Sequence, residues 1–153
     1  MPAETRQQLA AAQAELVSAL AGNGVPPAGF DSKRLDVTAT ALITKRMRAV
    51  ARAWPSVLEW LRSDFGRNFD EFARQTPLSS CGGPMADGRA FVRWLSARAA
   101  LPDSVLVQAL HVDLQYSQAP AGLVPRRGPA LRVARLHRPR RFIVVFRVPW
   151  LGV

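Results

Sequence analysis

Apolar residues recur every three or four positions along most of this chain and then, near its end, every second position. The first spacing predicts helices and the second a strand pair. Leu9, Gln13, Leu16, Val17 and Leu20 form one mostly apolar stripe, predicting a helix from about Thr5 to Ala21. "GNGVPPAGFD" ends it, with glycines as stop signals and Pro26-Pro27 as a stiff connection. Asp31 stands where an N-cap belongs, and Phe30 before it is placed to pack on the first turn. A long second helix, about Ser32 to Ala53, turns Leu35, Ala39, Leu42, Ile43, Met47, Val50 and Trp54 inward. Its basic residues, Lys33, Arg34, Lys45, Arg46, Arg48 and Arg52, fall mostly outside that face.

Pro55 disfavours helix at Trp54 and suits a new first turn, so "PSVLEWL" restarts the chain with Val57, Leu58 and Leu61 inward. "SDFGRNFDEFARQ" gives a fourth helix with Phe65, Phe69 and Phe72 on one side. After a Pro/Gly loop over 76–86, Asp87 is expected to cap a fifth, with Phe91, Trp94 and Leu95 inward. A sixth follows Pro102, carried by Val105, Leu106, Ala109 and Leu110. "SQAPAGLVPRRGP" (117–129) then reads as a Pro/Gly-rich linker.

Beyond it the period changes. Phe142, Val144, Phe146 and Val148 alternate with Ile143, Val145 and Arg147, and Leu131 and Val133 alternate with Arg132 and Ala134. With "RPRR" between them as a turn, residues 130–153 read as an antiparallel hairpin. The expected fold is therefore mainly α: about six helices over 1–116, the linker over 117–129, and a C-terminal antiparallel β-hairpin element over 130–153. A hairpin alone is marginal in water, so it must pack on the helices or gain a third strand.

Charge sharpens this division. The net charge of +10 is carried almost wholly by the end of the chain. Residues 1–113 hold 13 Lys/Arg against 11 Asp/Glu, whereas 114–153 hold eight arginines and no acid. Such asymmetry fits a surface for an anionic partner; solubility in an arginine-rich proteome explains it as well. One cysteine, Cys81, excludes an internal disulfide and fits a reducing compartment. The N-terminus lacks the basic region of a signal peptide, and "FIVVF" is too short to span a bilayer. A cytoplasmic protein with no membrane partner is expected.

Candidate chemistry is sparse. Two histidines, His111 and His137, and one cysteine supply no metal-ligand spacing. Cys81 has no histidine near it in sequence to activate it. Asp64, Asp70 and Glu71 fit helix starts and a solvated face, and "GNG" follows no strand. The chain reads as a non-enzyme without a cofactor of its own. Trp54, Trp60 and Trp94 fit the core, while Trp150 after Pro149 is a better contact residue.

Three uses of the hairpin stand open: phosphate binding by its arginines, capture of an extended acidic peptide at a strand edge, or simple cover for the helices. In the second, Arg132, Val133, Arg135, Arg138, Arg140, Arg141, Phe142, Val144, Phe146 and Arg147 are the peptide-binding residues.

"LVSALAGNGVPPAGFDSKRL", "ALITKRMRAVARAWPSVLEWL", the Phe65, Asn68, Phe69, Phe72, Ala73 series and "DGRAFVRWL" together resemble a helical domain found beside or fused to multinuclear non-haem-iron oxidases. Those enzymes modify ribosomally made peptides, often at cysteine. Their partner proteins include the one in methanobactin biosynthesis, and related domains carry a DNA-binding label. The resemblance covers roughly residues 5–115, and the basic hairpin matches the small β-element that follows in such partners. It implies a non-catalytic subunit that holds an acidic precursor (leader) peptide and docks on a separate iron oxidase, with the iron in that other chain. Phe30, Asp31, Lys45, Arg46 and Trp150 are the expected enzyme-facing candidates. The alternative is a nucleic-acid-binding regulator using the same arginines.

Overall fold

Proline, glycine and one aspartate set most of the element boundaries. The computed structural model of the chain describes residues 3–20, 31–137 and 141–148. Helix α1 spans Ala3–Leu20 and α2 spans Ser32–Ala53. The Asp31 carboxylate accepts the Lys33 N–H at 3.0 Å and its carbonyl accepts the Leu35 N–H at 3.1 Å, so it is the N-cap that its position predicts. Trp54, at φ −128° and ψ 65°, leaves the helical region because Pro55 follows. Helix α3 (Pro55–Leu61), a single 3-10 turn (Arg62–Asp64) and helix α4 (Phe65–Gln75) come next.

Helix α5 (Gly83–Ser96) begins earlier than expected. Gly82, at φ 87°, is its N-cap, and Pro84 occupies its first turn. Asp87 is therefore not the N-cap of α5: it lies inside that helix and is buried. Helix α6 (Asp103–Gln115) starts after Pro102.

The chain is mainly helical, with two small antiparallel hairpins toward its C-terminus. The expectation of about six helices and one hairpin misses both the 3-10 turn and the first hairpin. Strand β1 (Tyr116–Ala119) continues directly from α6 and pairs with β2 (Gly122–Pro125), in residues expected to form a linker. The proline and glycine read there as linker signals are turn signals instead. Gly122 has φ +133°, and a Cβ on it would sit 2.0 Å from the Cys81 carbonyl oxygen. Cys81 runs alongside as a short parallel bridge: its N–H donates to the Ala121 carbonyl at 2.9 Å, and its carbonyl accepts the Leu123 N–H at 3.3 Å. Strands β3 (Ala130–Leu136) and β4 (Arg141–Arg147) form the second hairpin.

The chain divides into two compact units. One comprises Met1–Arg48 with Gly66–Leu78. In it Ile43, Phe69, Phe72 and Ala73 are buried, and Phe69 meets Phe72 edge-on at 5.5 Å. Leu9 and Gln13 of α1 are exposed, as is Leu42 of α2, so the inward stripes expected there are only partly used. The side chains of Leu16, Val17 and Leu20 lie outside the described residues.

The other unit comprises Ala49–Phe65 with Ser79–Val153. Its core includes Val50, Trp54, Val57, Phe65, Phe91, Val92, Leu95, Val105, Leu110 and Leu123. Leu58, expected inward, is exposed. Phe65 and Phe91 pack at right angles with 5.8 Å between ring centroids. The backbone break at Trp54 is mended by α6: Gln108 donates to the Ala53 carbonyl at 2.8 Å and accepts from the Ser56 hydroxyl and N–H. Arg89 of α5 binds Asp113 of α6 through two 2.8 Å hydrogen bonds, a bidentate pair.

Trp54 is fully buried, and its indole lies over Gly88 so closely that a Cβ there would fall 2.1 Å from the ring. Gly88→Ala is accordingly expected to destabilise the chain by about 2–3 kcal/mol, the cost of overpacking a filled core. Urea unfolding followed by Trp fluorescence checks this, and an unchanged midpoint would contradict it.

Candidate functional site

The β3–β4 hairpin pairs Ala130 with Arg147, Val133 with Val144 and Leu136 with Arg141. Period two sorts its side chains onto two faces. Ala130, Arg132, Ala134, Ile143, Val145 and Arg147 are half-buried and Leu136 is buried, on the face that packs against α6. Leu131, Val133, Arg135, Phe142, Val144 and Phe146 are exposed on the opposite face, and Val148 follows them at the same parity.

Each of the two strands pairs only with the other among the described residues, so each has one outer edge whose backbone N–H and C=O groups find no partner strand.

Two contacts anchor the hairpin to the rest of its unit. The His137 N–H, just after β3, donates to Asp103 Oδ1 at 2.8 Å at the start of α6. Arg147, near the end of β4, donates to the Arg126 carbonyl. Arg126 is itself fixed, its N–H bonded to the Gln115 carbonyl at 2.8 Å. The hairpin is thus tied to both ends of α6.

This geometry redistributes the expected charge. Arg135 and Arg141 are exposed, and Arg135 stands opposite Phe142 on the outer face. Arg132 is on the inner face and bonds the Leu131 carbonyl at 2.9 Å. Arg147 is engaged with the Arg126 carbonyl. The outer face is therefore apolar rather than basic. Arg138 and Arg140 lie outside the described residues.

The enzyme-facing candidates separate as well. Asp31 caps α2. Arg46 reaches the Ala73 and Thr76 carbonyls at 3.4 and 3.2 Å, at the C-terminal end of α4, with its guanidinium 6.0 Å from the rings of Phe69 and Phe72. That is a structural post at a helix terminus. Lys45 is exposed, and Phe30 and Trp150 lie outside the described residues.

Asp103, Arg126 and the apolar outer face were not singled out by sequence reasoning. One signal for the face was present: β4 is apolar at both parities, Phe142, Val144 and Phe146 as well as Ile143 and Val145. A strand apolar on both sides wants cover on both sides. Asp103 carried no signal, because its contact spans 34 residues.

No group of three or more His, Cys, Asp or Glu among the described residues is placed to hold a metal ion, and no described helix is long and apolar enough to cross a membrane.

Residues 10–97 match the family described as SCO6045-like, C-terminal domain, and the chain belongs to that family. The match ends before α6 and both hairpins. Over 133 residues, 87% of its length, the chain is 36% identical to a UPF0276 protein of Streptomyces avermitilis. It spans only 26% of that relative. No solved structure matches the chain.

If Asp103 anchors the hairpin, Asp103→Ala should speed hydrogen exchange at residues 136–137 about tenfold, corresponding to loss of a hydrogen bond to a charged acceptor worth roughly 1.5 kcal/mol. Exchange at wild-type rates would show that α6 packing alone holds this end.

Proposed function

We propose that this SCO6045-like C-terminal domain is a non-catalytic recognition subunit. It takes an extended precursor peptide as an added strand on the β3–β4 hairpin and docks on a separate multinuclear iron oxidase that modifies that peptide. The observation that carries this reading is the pair of open strand edges on a hairpin anchored to α6 at both ends. A preorganised edge offers main-chain hydrogen bonds to an extended peptide without first having to be ordered. Exposed Arg135 and Arg141 lie near the turn end of the hairpin, where they favour acidic residues in the added strand.

The relative supports the docking half of the proposal. The matching part is about a quarter of that UPF0276 protein, so a similar segment also occurs within a much longer chain. In this reading the iron is held by the enzyme on which the domain docks. The resemblance to partners of peptide-modifying iron oxidases, including the methanobactin one, is the basis for assigning it that chemistry.

Nucleic-acid binding is the second reading, favoured by the eight arginines and absence of acids over 114–153. Salt separates the two. Phosphate contacts release counterions and collapse steeply as salt rises, whereas main-chain pairing persists.

Purification of the tagged chain from its native source, with iron analysis and peptide mass spectrometry, tests the assignment. A stoichiometric iron-containing partner and a short precursor peptide are expected. Val144→Pro, which breaks the ladder within β4, should lose the peptide. Nucleic acid alone, released by moderate salt, would contradict the subunit reading.

A further inference from the structure

Among the described residues the outer face of the β3–β4 hairpin is a broad apolar surface left exposed. Leu131, Val133, Phe142, Val144, Phe146 and Val148 are each 57% to 71% exposed, and Leu131 faces Phe146 and Val133 faces Val144 across the ladder. With about 150–200 Å² of surface per residue, these fractions amount to roughly 700 Å². A monomer's largest apolar patch is ordinarily about 300–600 Å².

The charge on this face limits what can cover it. Arg135, at one end, is its one charged member among the described residues. Arg132 and Arg147 belong to the opposite face, so an acidic peptide or a phosphate would meet no cation at its centre. The complement is another uncharged, pleated, apolar surface.

We infer that the outer faces of two copies of this chain pack against each other, forming a symmetric four-stranded sandwich. A two-fold arrangement matches the patch with itself, and facing sheets pack at about 10 Å with interdigitated side chains. Two such faces bury about 1,400 Å² in total, within the roughly 1,200–2,000 Å² of a standard stable interface. Face-to-face packing leaves the outer strand edges open, so it goes beyond the peptide-capture reading and does not depend on it.

Charge makes the inference distinctive. Each copy carries net positive charge over residues 114–153, which hold no acid, and brings exposed Arg135 to the end of the packed face. Apolar packing must therefore overcome like-charge repulsion between the two copies. Salt screens that repulsion, so the dimer tightens as sodium chloride rises, opposite to the behaviour of a complex held by arginine and phosphate.

Sedimentation equilibrium of the full chain, from low to high micromolar concentration and at low and high sodium chloride, provides the test. A monomer–dimer equilibrium that strengthens with salt is expected. Phe146→Glu and Val133→Glu, both at exposed positions and separately checked for native circular dichroism, should each raise the dissociation constant at least about tenfold. A wild-type chain that stays monomeric throughout overturns the inference. So does a dimer indifferent to both substitutions, or one that weakens with salt.

Discussion

One helix holds together everything proposed for the end of the chain. Within its unit α6 packs against α3, α5, β1, β3 and β4. It can do so because its apolar residues cover most of its circumference: Val105, Ala109, Leu110, Val112 and Leu114 are buried, and Leu106 and Val107 are half-buried. A helix apolar over most of its circumference packs on several sides, here leaving only the stripe of Ser104, His111 and Gln115 exposed. Three of its polar side chains are used as fasteners, Gln108 to the α2–α3 break, Asp113 to Arg89 and Asp103 to the end of β3. A two-stranded hairpin has too little surface of its own to persist in water. Fastened at both ends to α6, it becomes a ready-made template.

The helical part of the fold was legible wherever a local rule decided the outcome. Asp31, Pro55 and Pro102 marked helix starts because capping and the missing proline N–H act on immediate neighbours. Local rules failed where a distant group intervened. Asp87 had the chemistry of a cap, yet Gly82 opened the helix earlier, and Asp87 went into the interior. The stretch from Ser117 to Pro125 had linker composition. Its glycine and proline instead shape a hairpin registered against Cys81, a contact spanning some forty residues that no window of sequence contains.

The candidate site was half legible. Alternation on either side of "RPRR" located both strands. The arginines drew attention to charge, but parity settles which of them can reach a ligand. Arg132 and Arg147 share the face turned toward α6, leaving Arg135 and Arg141 exposed beside a broad apolar surface. The hairpin consequently offers two different surfaces. Its edges present backbone groups suited to an extended peptide, and its outer face presents hydrophobic area with Arg135 at one end.

Peptide capture at a strand edge is the central claim, and backbone protection reports on it most directly. Hydrogen–deuterium exchange of the chain can be followed by NMR with and without the peptide that co-purifies with it. The account predicts new protection at alternate amides of one strand, either Ala130–Leu136 or Arg141–Arg147, because only every second N–H of an edge strand points outward. Protection that appears on α2 or α4 instead, or none at all in either strand, would contradict it.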